Sequence, residues 1–130
     1  MPDPAQVKVR EVLDKLQKNV ADIQAIMLLG PDGVLDHVGV DPSLNLEPLA
    51  VEYGTLLRIA GRASEDTGAG NLIEQIVVCE KSVMIARAVS AGHFLILVCT
   101  SQDQIGRARY ELKQAAWEIQ GKTGNSGTVA

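Results

Sequence analysis

Two stretches of this 130-residue chain are apolar without alternation, Ile76-Val77-Val78-Cys79 and Phe94-Leu95-Ile96-Leu97-Val98-Cys99. A strand with one face in water alternates apolar and polar residues, whereas a continuous apolar run is covered on both faces. These runs predict a sheet sandwiched between helices.

Three helical patterns are available to do the covering. Over residues 3–20, Val9, Val12, Leu13, Leu16 and Val20 recur at helical spacing, with Asp3 as a cap, Pro4 at the first helical position and Gln6 completing a capping box. A second helix is expected over residues 45–66, capped by Asn45, with Leu46, Leu49, Ala50, Tyr53, Leu56, Leu57, Ala60 and Ser64 on its core face. A third begins at Ser101, with Gln104 in the capping-box position and Ile105, Ala108, Leu112, Ala115, Ala116 and Ile119 buried. Tyr110 and Trp117 are expected to pack at the edge of the first helix. Between the first two helices, apolar runs at residues 23–29 and 34–40 flank Gly30-Pro31-Asp32-Gly33, which reads as a hairpin. Strands over residues 72–80, 82–89 and 94–100 follow as an antiparallel meander. The expected fold class is α+β, a five-stranded antiparallel sheet between one helix on one face and two on the other, in the order α-β-β-α-β-β-β-α. Residues 1–121 are expected to form a single domain and residues 122–130, rich in Gly, Ser and Thr, a flexible tail.

Composition narrows the function. A net charge of −4 and 3% aromatic residues argue against nucleic acid as a partner and against an anionic membrane surface. No apolar run approaches the ~18 residues of a membrane span. With two cysteines and no segment of signal-peptide form, the expected setting is cytoplasmic.

Chemistry is sparse. Cys79 and Cys99 fall within predicted strands and His37 and His93 near strand ends, without metal-ligand spacing, so no metal or cofactor is expected. Gly121-Lys122-Thr123 resembles the end of a phosphate loop, but the earlier glycine that motif requires is Ala116. Asp32, Asp36 and Asp41 lie in or near turns, where Asp is common. No catalytic constellation emerges, and the chain reads as a non-enzyme. Glu74 and Glu80 are charges on a predicted strand, a pattern that suits a sheet edge.

The helix over residues 45–66 carries a second, shorter stripe opposite its core face: Val51, Thr55 and Ile59, with Arg58 and Arg62 alongside. A helix that only covers its own core needs one stripe. The second is read either as scattered surface apolar residues, which are common, or as a protein-facing surface.

With the element order in hand, the chain resembles the roadblock / dynein light chain family in its bacterial, MglB-like branch. The resemblance rests on Ala25-Ile26-Met27-Leu28-Leu29 followed by Gly30-Pro31-Asp32-Gly33-Val34-Leu35, the long helix, Val77-Val78 through Ala88 and Gly92, and Phe94-Leu95-Ile96-Leu97-Val98, over about residues 6–121. It implies a sheet ordered second, first, fifth, fourth, third strand. It implies a homodimer joined through third strands and second helices, with Leu72, Glu74, Ile76 and Val78 at the edge and Val51, Thr55, Arg58, Ile59 and Arg62 at or near the paired helices. It also implies a non-catalytic scaffold or regulator of a small Ras-like GTPase, and no arginine-finger role carries over to Arg58 or Arg62. Longin-like and profilin-like adaptors share part of the element order and form the alternative without a GTPase. Two further rivals are a hydrolase or transferase using Cys79 or Cys99 with His93, and a sensory domain with a cavity at the helix–sheet seam.

Overall fold

A computed structural model describes residues 4–121. The expected Asp3 cap and the tail at 122–130 lie outside the described residues. The elements are α1 (Pro4–Asn19), β1 (Ile23–Gly30), β2 (Gly33–Val38), α2 (Leu46–Asp66), β3 (Glu74–Val78), β4 (Val83–Ser90), β5 (His93–Cys99), a 3-10 turn (Gln102–Gln104) and α3 (Ile105–Ile119). The sheet is antiparallel, ordered β2-β1-β5-β4-β3. This is the expected α-β-β-α-β-β-β-α sandwich.

The central strands divide their side chains between two cores. Ile26, Leu28, Ile85, Leu95 and Leu97 point to the face packed by Leu13 and Leu16 of α1 and Ala108 and Leu112 of α3. Their neighbours Ala25, Met27, Met84, Ala86, Ile96 and Val98 point to the other face, under Ala50 and Leu57 of α2. Period-two alternation thus survives in direction while hydrophobicity runs on without a break. At the tight end of the sheet, Gly92 holds a φ of +76°, and a Cβ there would lie 3.1 Å from the Pro31 ring. The β4–β5 turn can therefore nest against the β1–β2 turn only as glycine.

Several expected boundaries shift. The third strand is shorter than 72–80, because Glu80 and Lys81 are used in the reversal that Cys79 N–H closes on the Ser82 carbonyl (2.8 Å). Leu72 lies before the strand, packed against the α2-side core. Cys79 is accordingly exposed beyond the strand, while Cys99 ends β5 and is buried. Ser101 caps a 3-10 turn, its hydroxyl accepting from Asp103 N–H, and α3 begins only at Ile105. The Gln104 side chain accepts from Ala21 N–H instead of closing a capping box. Asn45 occupies the cap position of α2 without a side-chain capping bond.

Truncating a side chain shared by neither solvent nor cavity tests this double packing. Leu97→Ala, at a fully buried site of a central strand, is expected to lower unfolding stability by about 2–5 kcal/mol, read from the urea midpoint at unchanged m-value.

Candidate interaction surface

Two edges bound the sheet, and they differ. On β2 the pairing with β1 slips between Leu28 and Leu29, leaving Leu35 as a bulge residue that is 60% exposed. Asp36 is tied back to Arg10 of α1 and to its own neighbour's amide, His37 N–H. A bulged, strapped edge resists strand addition.

The β3 edge is regular. Its register with β4 runs unbroken from Glu74↔Arg87 to Val78↔Val83. Ile73 C=O accepts from Ala88 N–H and Cys79 N–H donates to Ser82, so the odd-numbered residues face β4. Antiparallel ladders alternate, and the N–H and C=O groups of Glu74, Ile76 and Val78 therefore point outward. Val78 is 50% exposed and Ile73 beside the strand is also exposed, whereas Ile76 is half-buried against the α1–α3 core. The Glu74 carboxylate is neutralised within the chain by Arg87 on β4 (3.5 Å) and Arg109 on α3. The charge expected to blunt this edge is thus compensated. Nothing in the linear sequence linked Glu74 to Arg109, 35 positions away.

On α2 the apolar members of the second stripe face outward. Val51 is 60% and Ile59 62% exposed. Between them the Thr55 hydroxyl donates to Val51 C=O (2.9 Å) and accepts from Arg58 (3.2 Å), so its polar group is used within the helix. Arg62 stands 3.9 Å from Asp66, both well exposed, a pair of little energetic weight. One residue assigned to the core face is displaced. Leu56 is 38% exposed, and Gly54 takes the buried place against Leu29. Helical geometry puts Tyr53 and Leu56 on one flank and Gly54, Arg58 and Gly61 on the other. Tyr53 lies near Cys79 beyond β3, and burial followed by that neighbour pushes its hydroxyl pKa up. The opposite flank borders Leu29 and Pro31 of the β1–β2 end. The cleft under that opposite flank also reaches Ile73 and Arg87 at the start of β3, so Tyr53 and Leu56 lie on the side of the far end of β3, by Cys79.

An open cleft of about 1030 Å³ lies under the Arg58 flank, bordered also by Phe94 and Trp117. Trp117 therefore sits at this cleft, with Lys113 over its ring (4.9 Å), and not at the edge of α1. Tyr110 does lie beside α1, exposed at a shallower groove. The larger cleft lies at the helix–sheet seam, where a sensory domain would need its cavity.

The cysteine–histidine rival is not assembled. His93 opens β5 and Cys99 closes it, roughly 20 Å apart at a strand's rise. Cys79 lies beyond the end of β3 where the chain turns into β4, and His93 at the end where β4 turns into β5. His93 Nδ1 contacts Ala91 C=O. Burial pushes the Cys99 thiol pKa up, leaving less thiolate. Among the described residues no group of three or more His, Cys, Asp or Glu is placed to hold a metal ion, and no helix is long and apolar enough to cross a membrane.

These elements in this order and layering are the roadblock fold, as seen in MglB. MglB of Myxococcus xanthus superposes with a TM-score of 0.82 at 18% identity, over 93% of this chain and 91% of that one. The Roadblock/LC7 domain from Streptomyces avermitilis gives 0.75 at 17% identity, over 85% and 93%. MglC from Myxococcus xanthus gives 0.62 at 29% identity, over 88% and 98%. No protein-family model and no curated protein sequence matches the chain.

Two outcomes follow from this geometry. Glu74→Ala strands the mostly buried Arg87 guanidinium and is expected to cost about 1–3 kcal/mol in chemical unfolding. A thiol reagent at neutral pH is expected to label Cys79 quickly in the folded protein and Cys99 only after denaturation, as counted by mass spectrometry.

Proposed function

We propose that the chain is a non-catalytic, homodimeric interaction module that binds or regulates a small Ras-like GTPase in the cytoplasm. The observation that carries this reading is the adjacency of a regular, charge-compensated open strand edge and a helix with a second apolar stripe. An edge with unmet backbone groups is a template for another strand, and β3 is the one of the two edges not spoiled by a bulge. Pairing of two such edges, with α2 helices on the same face, could bury about 1,600 Å² or more, the size of a stable interface. The roadblock fold and the likeness to MglB and MglC support the assignment of the helical surface to a GTPase system. Val51, Thr55 and Ile59 offer an apolar strip with charges of both signs along its borders, Arg58 and Arg62 on one side and Glu52 and Asp66 nearby, suited to a partner's mixed apolar and charged surface.

Light scattering at micromolar concentration is expected to give twice the chain mass, and small GTPases of the same cell are expected to be retained by the immobilised protein. Ile59→Glu is expected to weaken one or both associations at least tenfold while circular dichroism and the unfolding midpoint stay near wild type. A clean monomer, or an Ile59→Glu protein unchanged in both, overturns the reading. A dimer that retains no GTPase favours a longin- or profilin-like adaptor.

A further inference from the structure

The alternation of β3 restricts how two copies can meet, and it does so more tightly than dimerisation as such demands. Outward-facing residues pair with outward-facing residues across an antiparallel join. Those residues are Glu74, Ile76 and Val78, as the bonds of Ile73 and Cys79 to β4 require. A two-fold axis through Ile76 engages all three, matching Glu74 with Val78 of the partner subunit and Ile76 with Ile76 of the partner subunit. Centring on Gln75 or Val77 engages only two of the three within the strand. Centring on Glu74 sets two carboxylates opposite each other, an unfavourable cross-strand pair.

A second, independent observation falls at the same place. The side-chain Oε1 of Gln75 is buried and has no hydrogen-bond partner among the described residues. Such orphans are rare in folded proteins and call for an explanation. Gln75 pairs with Ala86, whose side chain faces the α2-side core, so Gln75 lies on the α2 face of the edge strand. In the join centred on Ile76, Gln75 is diagonal to Gln75 of the partner subunit, within reach of a long side chain. The last torsion of Gln is soft. Turning it lets the carboxamide of one copy donate to that of the other across the axis. The axis is normal to the sheet, so both α2 helices lie on one face and run antiparallel, each with its Leu56 flank toward the other.

We propose that two copies join through β3 in a register centred on Ile76, sealed by a reciprocal Gln75 carboxamide contact and flanked by Leu56. This rests on the homodimer reading above and adds to it a register, a polar lock and a contact residue outside the stripe.

The test is a cysteine scan in a Cys79→Ser background, with Gln75→Cys, Ile76→Cys and Val77→Cys each oxidised mildly at micromolar concentration. Ile76→Cys is expected to cross-link fastest, by at least tenfold, into a species of twice the mass. Faster cross-linking at 75 or 77 in a protein that scatters as a dimer overturns the register and leaves dimerisation standing. A monomer that cross-links nowhere removes both. Gln75→Glu places two carboxylates across the axis and is expected to raise the dimer dissociation constant at least tenfold at pH 7.5, with recovery at pH 4.5 to 5. Leu56→Glu is expected to weaken the dimer similarly with the monomer's unfolding midpoint retained. A Gln75→Glu protein with wild-type dissociation at both pH values overturns the polar lock.

Discussion

The structure depends on strands that bury both faces. Each of the strands β1, β5 and β4 sends alternate side chains into separate cores, one under α2 and one under α1 and α3. Burial of that apolar area is the dominant favourable contribution to folding, and it cannot be had on one side alone. A strand such as Phe94–Cys99 with water on either face would expose three apolar side chains. Both helical layers are therefore obligatory, and the hairpin, the meander and the long crossing helix are the connections that deliver them.

The layers are unequal, and function follows from the inequality. On one face α1 and α3 pack side by side and tie to each other and to the sheet through Asn19–Glu111, Lys15–Glu118 and Arg109–Glu74. On the other face α2 works alone. A single helix leaves flanks: one opens the cleft by Arg58 and Gly61, the other leaves Leu56 half out beside the free strand. The face with one helix is where unmet apolar surface and unmet backbone groups fall together.

Much of this was legible in the residues. Period and punctuation located every strand and α-helix, though not the 3-10 turn before α3, and continuous apolarity announced the two-sided burial. The outward stripe of α2 was readable because helical angles follow from spacing alone. What escaped has a common cause. The Glu74–Arg87–Arg109 cluster joins three elements, and only tertiary placement brings the charges together. Leu56 sits at the border of the core arc, where a few degrees of helix orientation decide between inside and outside, and Gly54 gave no hydrophobic signal although it is buried. The strand ends slipped because Glu80 and Leu72 were assigned by the apolarity of their neighbours, while the reversal at Cys79 and Ser82 set the true limit.

The slipped pairing at Leu35 has a consequence for growth. A sheet with two plain rims could keep recruiting copies and run on into a fibre. Here one rim is spoiled by its extra residue and by the Arg10–Asp36 strap. Were two plain rims to meet, only spoiled ones would be left at either end, and strand-by-strand polymerisation would have nowhere to go.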